Sequence, residues 1–122
     1  MTDPRSVDLI VKLEWAAVAL AALIAYWFVG RWWFFALLIL APDLSMLGYL
    51  VGKRAGAIAY NLAHILFWPI ILLLYGTFVG SRLSLELGLI WLAHIAVDRA
   101  LGYGLKYATD FRDTHLGRIG RD

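Results

Sequence analysis

Ionisable side chains stand inside apolar stretches of the chain, among them Glu14, Asp43, His64, His94 and Asp98. Such groups are unfavourable in hydrocarbon, by about 2.5–3.5 kcal/mol for an Asp at a helix centre. His94 and Asp98 are four positions apart and stack on one helical face. Tyr60 and His64 do the same, and Asn61 lies three before His64. Imidazole and carboxylate together are the ligand set of zinc, iron or manganese. The pattern therefore predicts a divalent-metal site on Asp43, His64, His94 and Asp98. Glu14 is a further ligand or general base, and Asp43 shares that catalytic role. A metal with an open position polarises an ester or phosphate, or acidifies bound water to a pKa of about 7. Tyr60 and Asn61 then orient ligands or substrate. The chain has no Cys, which removes thiolate nucleophiles and Cys-based metal sites.

These residues need elements to hold them. The chain has 122 residues, 62% of them hydrophobic and only 16% charged. A soluble domain carries about 25% charged residues, and the mean hydropathy here is +0.74. Four apolar stretches are predicted as transmembrane helices, over about 9–29, 32–51, 57–79 and 83–103, because about 20 helical residues cross a hydrocarbon core. A tail, 104–122, follows. Short connections imply antiparallel neighbours. The expected fold is one all-α integral-membrane domain over 1–122, an up-down-up-down bundle of four helices. The first stretch contains Lys12 and Glu14 and is read as a retained helix, not a cleaved signal.

The basic residues orient this arrangement. One side would hold Arg5, Lys12, Lys53, Arg54, Lys106, Arg112, Arg118 and Arg121, and the other Arg31 and Arg82. The excess faces the cytoplasm, so both termini are expected there. Counting in from that side at about 1.5 Å per residue, the five polar groups share a band about 7–15 Å deep. Four helices thus contribute to one layer, which favours a shared site over scattered hydrogen-bonded ties between helices. Pro42 is expected to kink helix two beside Asp43, and Pro69 to bend helix three beyond His64.

Other features carry less chemistry. Gly48 with Gly52, and Gly76 with Gly80, are small-residue pairs suited to helix contacts within the bundle or in a homo-oligomer. Tyr26, Trp27, Trp32 and Trp33 fit an interfacial aromatic belt. Glu86 reads as a solvated interfacial residue, and Arg99 as pointing away from the site. The tail is expected as an interfacial segment, with Asp113 or His115 available to complete the pocket. The net charge of +2 gives no reason to expect a nucleic-acid partner.

The chain also carries landmarks of a known family. They are Leu13-Glu14, the run Ala41-Pro42-Asp43-Leu44-Ser45-Met46-Leu47-Gly48-Tyr49, the run Tyr60-Asn61-Leu62-Ala63-His64, and the run Trp91-Leu92-Ala93-His94-Ile95-Ala96-Val97-Asp98-Arg99. Gly102-Tyr103-Gly104-Leu105-Lys106-Tyr107 and Asp113-Thr114-His115-Leu116-Gly117 complete the set. These resemble the bacterial membrane family catalogued as domain of unknown function four-two-six-zero, over almost the whole chain. The resemblance implies a compact four-helix protein of the bacterial inner membrane and supplies no activity. A weaker similarity, through Pro-Asp and the intramembrane His, is to membrane-bound metal-dependent hydrolases of the YdjM type, whose usual His-Arg and Thr-His-Ser elements this chain lacks.

The leading expectation is a metal-dependent hydrolase acting on a lipid-like amphiphile from the cytoplasmic side. The alternatives are a haem, redox or pigment protein with His64 and His94 as axial ligands, and a proton- or ion-coupled carrier or accessory subunit.

Overall fold

The computed structural model describes residues 2–106 and 113–119. Helix α1 spans Pro4–Val29. The Asp3 carboxylate caps it by accepting from the backbone N–H groups of Arg5 and Ser6. Pro4 occupies the first turn, where its missing N–H has no partner to lose. Helix α2 spans Trp32–Leu38, and a ten-residue 3-10 segment, Ala41–Leu50, continues from it. Helices α3 (Lys53–Ala63), α4 (Phe67–Val79) and α5 (Arg82–Ala100) follow. Two-residue strands β1 (Asp113–Thr114) and β2 (Gly117–Arg118) form an antiparallel ribbon, and Thr114 bridges to Lys106. Apart from that ribbon, the described residues are all-α.

Pro42 and Pro69 shape the helices more strongly than a kink. A proline ring collides with the carbonyl four residues earlier and donates no hydrogen bond. For Pro42 that residue is Leu38, where α2 stops. The chain then stays in 3-10 geometry through Leu50. For Pro69 it is Ile65, inside the break between Ala63 and Phe67. The bend expected beyond His64 thus falls at His64 itself, because the strain lies one turn before the proline.

Four spans were expected, and among the described residues two helical runs are long and apolar enough to cross a membrane. They are Trp32–Leu50 and Lys53–Val79, with mean hydropathies of 1.7 and 2.0. The flanking helices are more polar. Helix α1 carries Arg5, Asp8, Lys12 and Glu14 in its N-terminal half, and α5 carries Arg82, Glu86, Asp98 and Arg99. Leu37, Leu40, Leu44, Leu47 and Val51 recur at helical spacing and are all exposed. That stripe is the kind of contiguous apolar surface that water-facing proteins rarely carry.

Helices α1 and α4 both pack along α5, while the 3-10 segment packs against α3. Gly48 admits this second contact: a β-carbon there would meet Ala55, Gly56 and Ala59. Gly76 lies against Leu85. Gly80 ends α4 in the left-handed region at φ 77°, a conformation that β-carbons disfavour. Three of the four paired glycines thus have roles within one chain.

Candidate metal centre

His64 ends α3, His94 and Asp98 lie on α5, and Asp43 lies on the 3-10 segment. One ligand atom from each lies within 4.8 Å of the other three. The Nε2 atoms of His64 and His94 are 3.2 Å apart. Asp43 Oδ1 is 3.0 Å from His94 Nε2 and 3.3 Å from His64 Nε2. Asp98 Oδ2 is 3.3 Å from His94 Nε2 and 3.5 Å from His64 Nε2. Both histidines are buried, and the Asp43 side chain, at 37% exposed, is the most open of the four.

The helix breaks fix the ring tautomers. In an α-helix the N–H of His64 would bond to the Tyr60 carbonyl; here it donates to Asn61 at 3.1 Å. The released Tyr60 carbonyl accepts from His64 Nδ1 at 2.7 Å. The same exchange occurs in the 3-10 segment. The Asp43 N–H donates to Leu40 instead of Ile39, and the released Ile39 carbonyl accepts from His94 Nδ1 at 2.6 Å. A carbonyl only accepts, so each ring carries its proton on Nδ1. Each Nε2 then faces the other ring and two carboxylates. One ligand atom from each of the four residues thus lies where together they could hold a metal ion.

The ligand geometry of zinc gives a measure of that space. With ligand bonds of about 2.0–2.2 Å, a tetrahedral zinc holds its donors about 3.3–3.6 Å apart. Five of the six separations run from 3.0 to 3.5 Å, and the sixth, between the two carboxylates, is within 4.8 Å. Both histidines also make the N–H to carbonyl bond that orients metal-binding imidazoles.

The remaining carbonyls at the α3 break are also occupied. Trp68 Nε1 donates to Leu62 at 2.7 Å, Trp91 Nε1 to Ala63 at 2.6 Å, and an Arg99 guanidinium nitrogen to His64 at 3.1 Å. In an apolar medium this completeness is required, since no water is available to take an orphaned carbonyl. Arg99, expected to point away, instead turns inward to the break and packs over the Trp15 ring. It sits one residue past Asp98, and the helix terminus at His64 supplies an acceptor within its reach.

The other expected site residues occupy different places. The Tyr60 ring stacks on His64 at 3.7 Å, and its hydroxyl approaches Asp98 Oδ2 at 3.5 Å. Tyr60 thus touches two of the four converging residues. Asn61 faces the tail: its Nδ2 donates to the Lys106 carbonyl at 2.7 Å, and its Oδ1 accepts the Lys106 N–H at 2.6 Å. His115 is exposed and pairs with the backbone of Leu105. Residues 107–112 and 120–122, which include Arg112 and Arg121, and the side chain of Asp113 lie outside the described residues. Glu14 is exposed on α1 and stands apart from the four-residue cluster, contrary to the expected inward face. The physical reason is facing: Trp15, the next residue, turns toward α5, where the Arg99 guanidinium lies over its ring, and successive helical residues point about 100° apart.

Glu86 also departs from its expected place. It is fully buried rather than solvated. Its Oε1 accepts from an Arg31 guanidinium nitrogen at 2.9 Å, and its Oε2 accepts from Arg31 Nε and the Arg31 backbone N–H, both at 3.1 Å. Tyr26, also fully buried, donates to the Arg31 carbonyl at 2.8 Å instead of joining an exposed aromatic belt. Arg82 Nε lies 3.9 Å from Glu86 and donates to Val29 at 2.9 Å. The two basic residues assigned to the side opposite the termini are thus the two that face Glu86, a signal present in the sequence.

Lys106, beyond the predicted spans, is buried with its ammonium 4.5 Å from the Tyr60 ring centre. Burial pushes its pKa down to about 8, against the attraction of Asp98 and Asp43.

A cavity of about 330 Å³ opens beside the cluster, lined by Leu38, Ala41, Pro42, Ser45, Ala63, Leu72, Leu87, Ile90 and Trp91.

Searches of the curated proteins and of the solved structures return no match to the chain. The resemblance to membrane-bound hydrolases thus gains no support from them. A family model matches residues 8–119, and the chain belongs to the family described as Domain of unknown function (DUF4260).

Proposed function

We propose that this chain is a four-helix integral-membrane protein that holds one divalent metal ion, zinc in the first place, on Asp43, His64, His94 and Asp98. The observation that carries the reading is the convergence of two Nε2 lone pairs and two carboxylate oxygens, with both Nδ1 protons committed to carbonyls. The bundle is up-down-up-down. Support comes from contacts whose numbers run in opposite directions: Tyr26 with Glu86 and Trp15 with Arg99, then Gly76 with Leu85 and Gly88 with Leu73. Both termini face the cytoplasm, as the basic residues suggest.

The chemistry assigned to the metal is hydrolysis of an ester or phosphoester in a lipid-like substrate. A water oxygen bonds to the acyl carbon or phosphorus, the ester bond breaks, and the water proton ends on the leaving alcohol. Asp43, the most exposed of the four, is the residue at the site's open side. The two alternatives fit less well. With the Nε2 atoms 3.2 Å apart and carboxylates in the same space, no slot remains for a porphyrin between the histidines. A carrier with broken helices uses released carbonyls to coordinate its ion, whereas here those of residues 60–64 bond to donors within the chain.

The test is elemental analysis of detergent-purified protein. One metal per chain is expected, lost in His94→Ala. Protein without stoichiometric metal, whose thermal unfolding ignores chelators, would overturn the reading.

A further inference from the structure

The cavity beside the cluster has a chemistry of its own. Its lining side chains are apolar except for Ser45 and Trp91. The Ser45 hydroxyl donates to the Pro42 carbonyl at 2.7 Å, and the Trp91 indole N–H donates to Ala63 at 2.6 Å. The lining side chains therefore offer no hydrogen-bond donor to a bound molecule, and a polar occupant would lose its hydration without replacement. Only hydrocarbon can fill this space favourably.

Its placement gives the occupant a direction. Pro42 and Ala63 immediately precede Asp43 and His64, so one end of the cavity adjoins the four converging residues. Leu72 lies eight residues past His64, and Leu87 seven residues before His94. At about 1.5 Å per residue the cavity therefore extends roughly 10 Å away from the ligand layer. With the termini cytoplasmic, that direction points to the middle of the bilayer. An amphiphile in the cytoplasmic leaflet has this same polarity, with its head at the boundary and its chain inward.

We infer that the cavity holds one hydrocarbon chain of an amphiphile whose ester or phosphoester head lies at Asp43, His64, His94 and Asp98. The inference deepens the metal-hydrolase reading and rests on it for the role of the head. Bulk lipid would spread instead over the exposed stripe of Leu40, Leu44 and Leu47. A chain seated in the cavity is distinguished by bringing its head-group linkage to the cluster.

The experiment uses the full chain in phosphatidylglycerol vesicles doped with phosphatidylglycerol that bears a diazirine midway along one acyl chain. After irradiation, crosslinks are mapped by mass spectrometry, and bound metal is measured in the same samples. Crosslinks are expected on Leu72, Leu87 and Ile90, competed by unlabelled lipid and not by glycerol phosphate. Ala41→Phe, at an exposed position on the rim, should lower them at least tenfold with the metal content unchanged. Ala41→Leu is the milder variant should the first not fold. Crosslinks spread over Leu40, Leu44 and Leu47, unaffected by either substitution, would overturn the inference. Absent metal together with crosslinks in the cavity would sink the metal reading alone and leave the chain site standing.

Discussion

His64 and His94 face each other through their Nε2 atoms at 3.2 Å, and neither ring can turn away. Each is held by its other nitrogen, His64 to the Tyr60 carbonyl and His94 to the Ile39 carbonyl. Both carbonyls are free to accept because the backbone switches from α to 3-10 pairing at that residue. The helix breaks are therefore what aims the histidines. His64→Ala and His94→Ala should each remove bound metal while the circular dichroism of the helices persists. Metal retained at one per chain in both variants would rule out this centre.

Tyr60 supports the site from the side. Its ring covers His64, and its hydroxyl contact with Asp98 is long at 3.5 Å. The ring should therefore matter more than the hydroxyl. Tyr60→Phe should weaken metal binding only a few-fold. Tyr60→Ala should weaken it by roughly 10–100-fold, the usual range for outer-shell partners. Competition with a calibrated chelator separates the two. Equal losses would assign the effect to the hydroxyl instead.

The Glu86 clamp predicts a stability effect with no metal effect. Arg31→Ala leaves a fully buried carboxylate with its main partner removed, and Arg82 at 3.9 Å is too distant to replace it. Loss of one partner of a buried pair is destabilising, whereas replacing both by apolar groups is often neutral. Arg31→Ala should lower the Tm on the order of 5–10 °C. Arg31→Met with Glu86→Leu should recover most of it. Bound metal should stay at the wild-type level in both.

How much of this was legible in the sequence depends on the length of chain each signal involves. Asp43, His64, His94 and Asp98 could be grouped because depth follows from counting residues, and the structure brings these four together. Glu14 passed the same count yet is exposed, because depth carries no information on facing. The prolines marked where helices would fail, but not that ten residues would stay in 3-10 form. In that form Gly48 packs against α3, a contact between segments that no local pattern announces. Glu86 was misplaced for a related reason. Its neighbours in sequence say nothing of Arg31, 55 residues away.

Asn61 predicts a separation between tail and metal. Its amide makes two short bonds to the Lys106 backbone, each worth about 0.5–1.5 kcal/mol. Asn61→Ala should release the tail and raise the rate of proteolysis beyond Tyr103 about tenfold. Asn61→Asp should release it as well, because a carboxylate still accepts the Lys106 N–H but cannot donate to the Lys106 carbonyl. Metal content should hold in both. Loss of metal together with tail release would mean that the docked tail is part of the site.

Lys106 gives the pH dependence. Burial lowers its folded pKa to about 8, against about 10.4 in an unfolded chain. Between these values the unfolded chain still binds a proton that the folded one has released. Stability must therefore rise with pH across that window, and below pH 8 the buried ammonium carries its full penalty. The sign is opposite to that of a lysine held charged by a salt bridge, whose stabilisation is lost as pH rises. Thermal unfolding followed by Trp fluorescence should show the Tm of the wild type climbing between pH 8 and 10. Lys106→Met keeps the apolar stem and removes the charge, so its Tm should exceed the wild-type value at pH 7 and vary less over that interval. A wild-type Tm that falls from pH 8 to 10 while the variant stays level would mean that the Tyr60 ring, 4.5 Å away, and the carboxylates of Asp43 and Asp98 stabilise the charged form by more than burial penalises it.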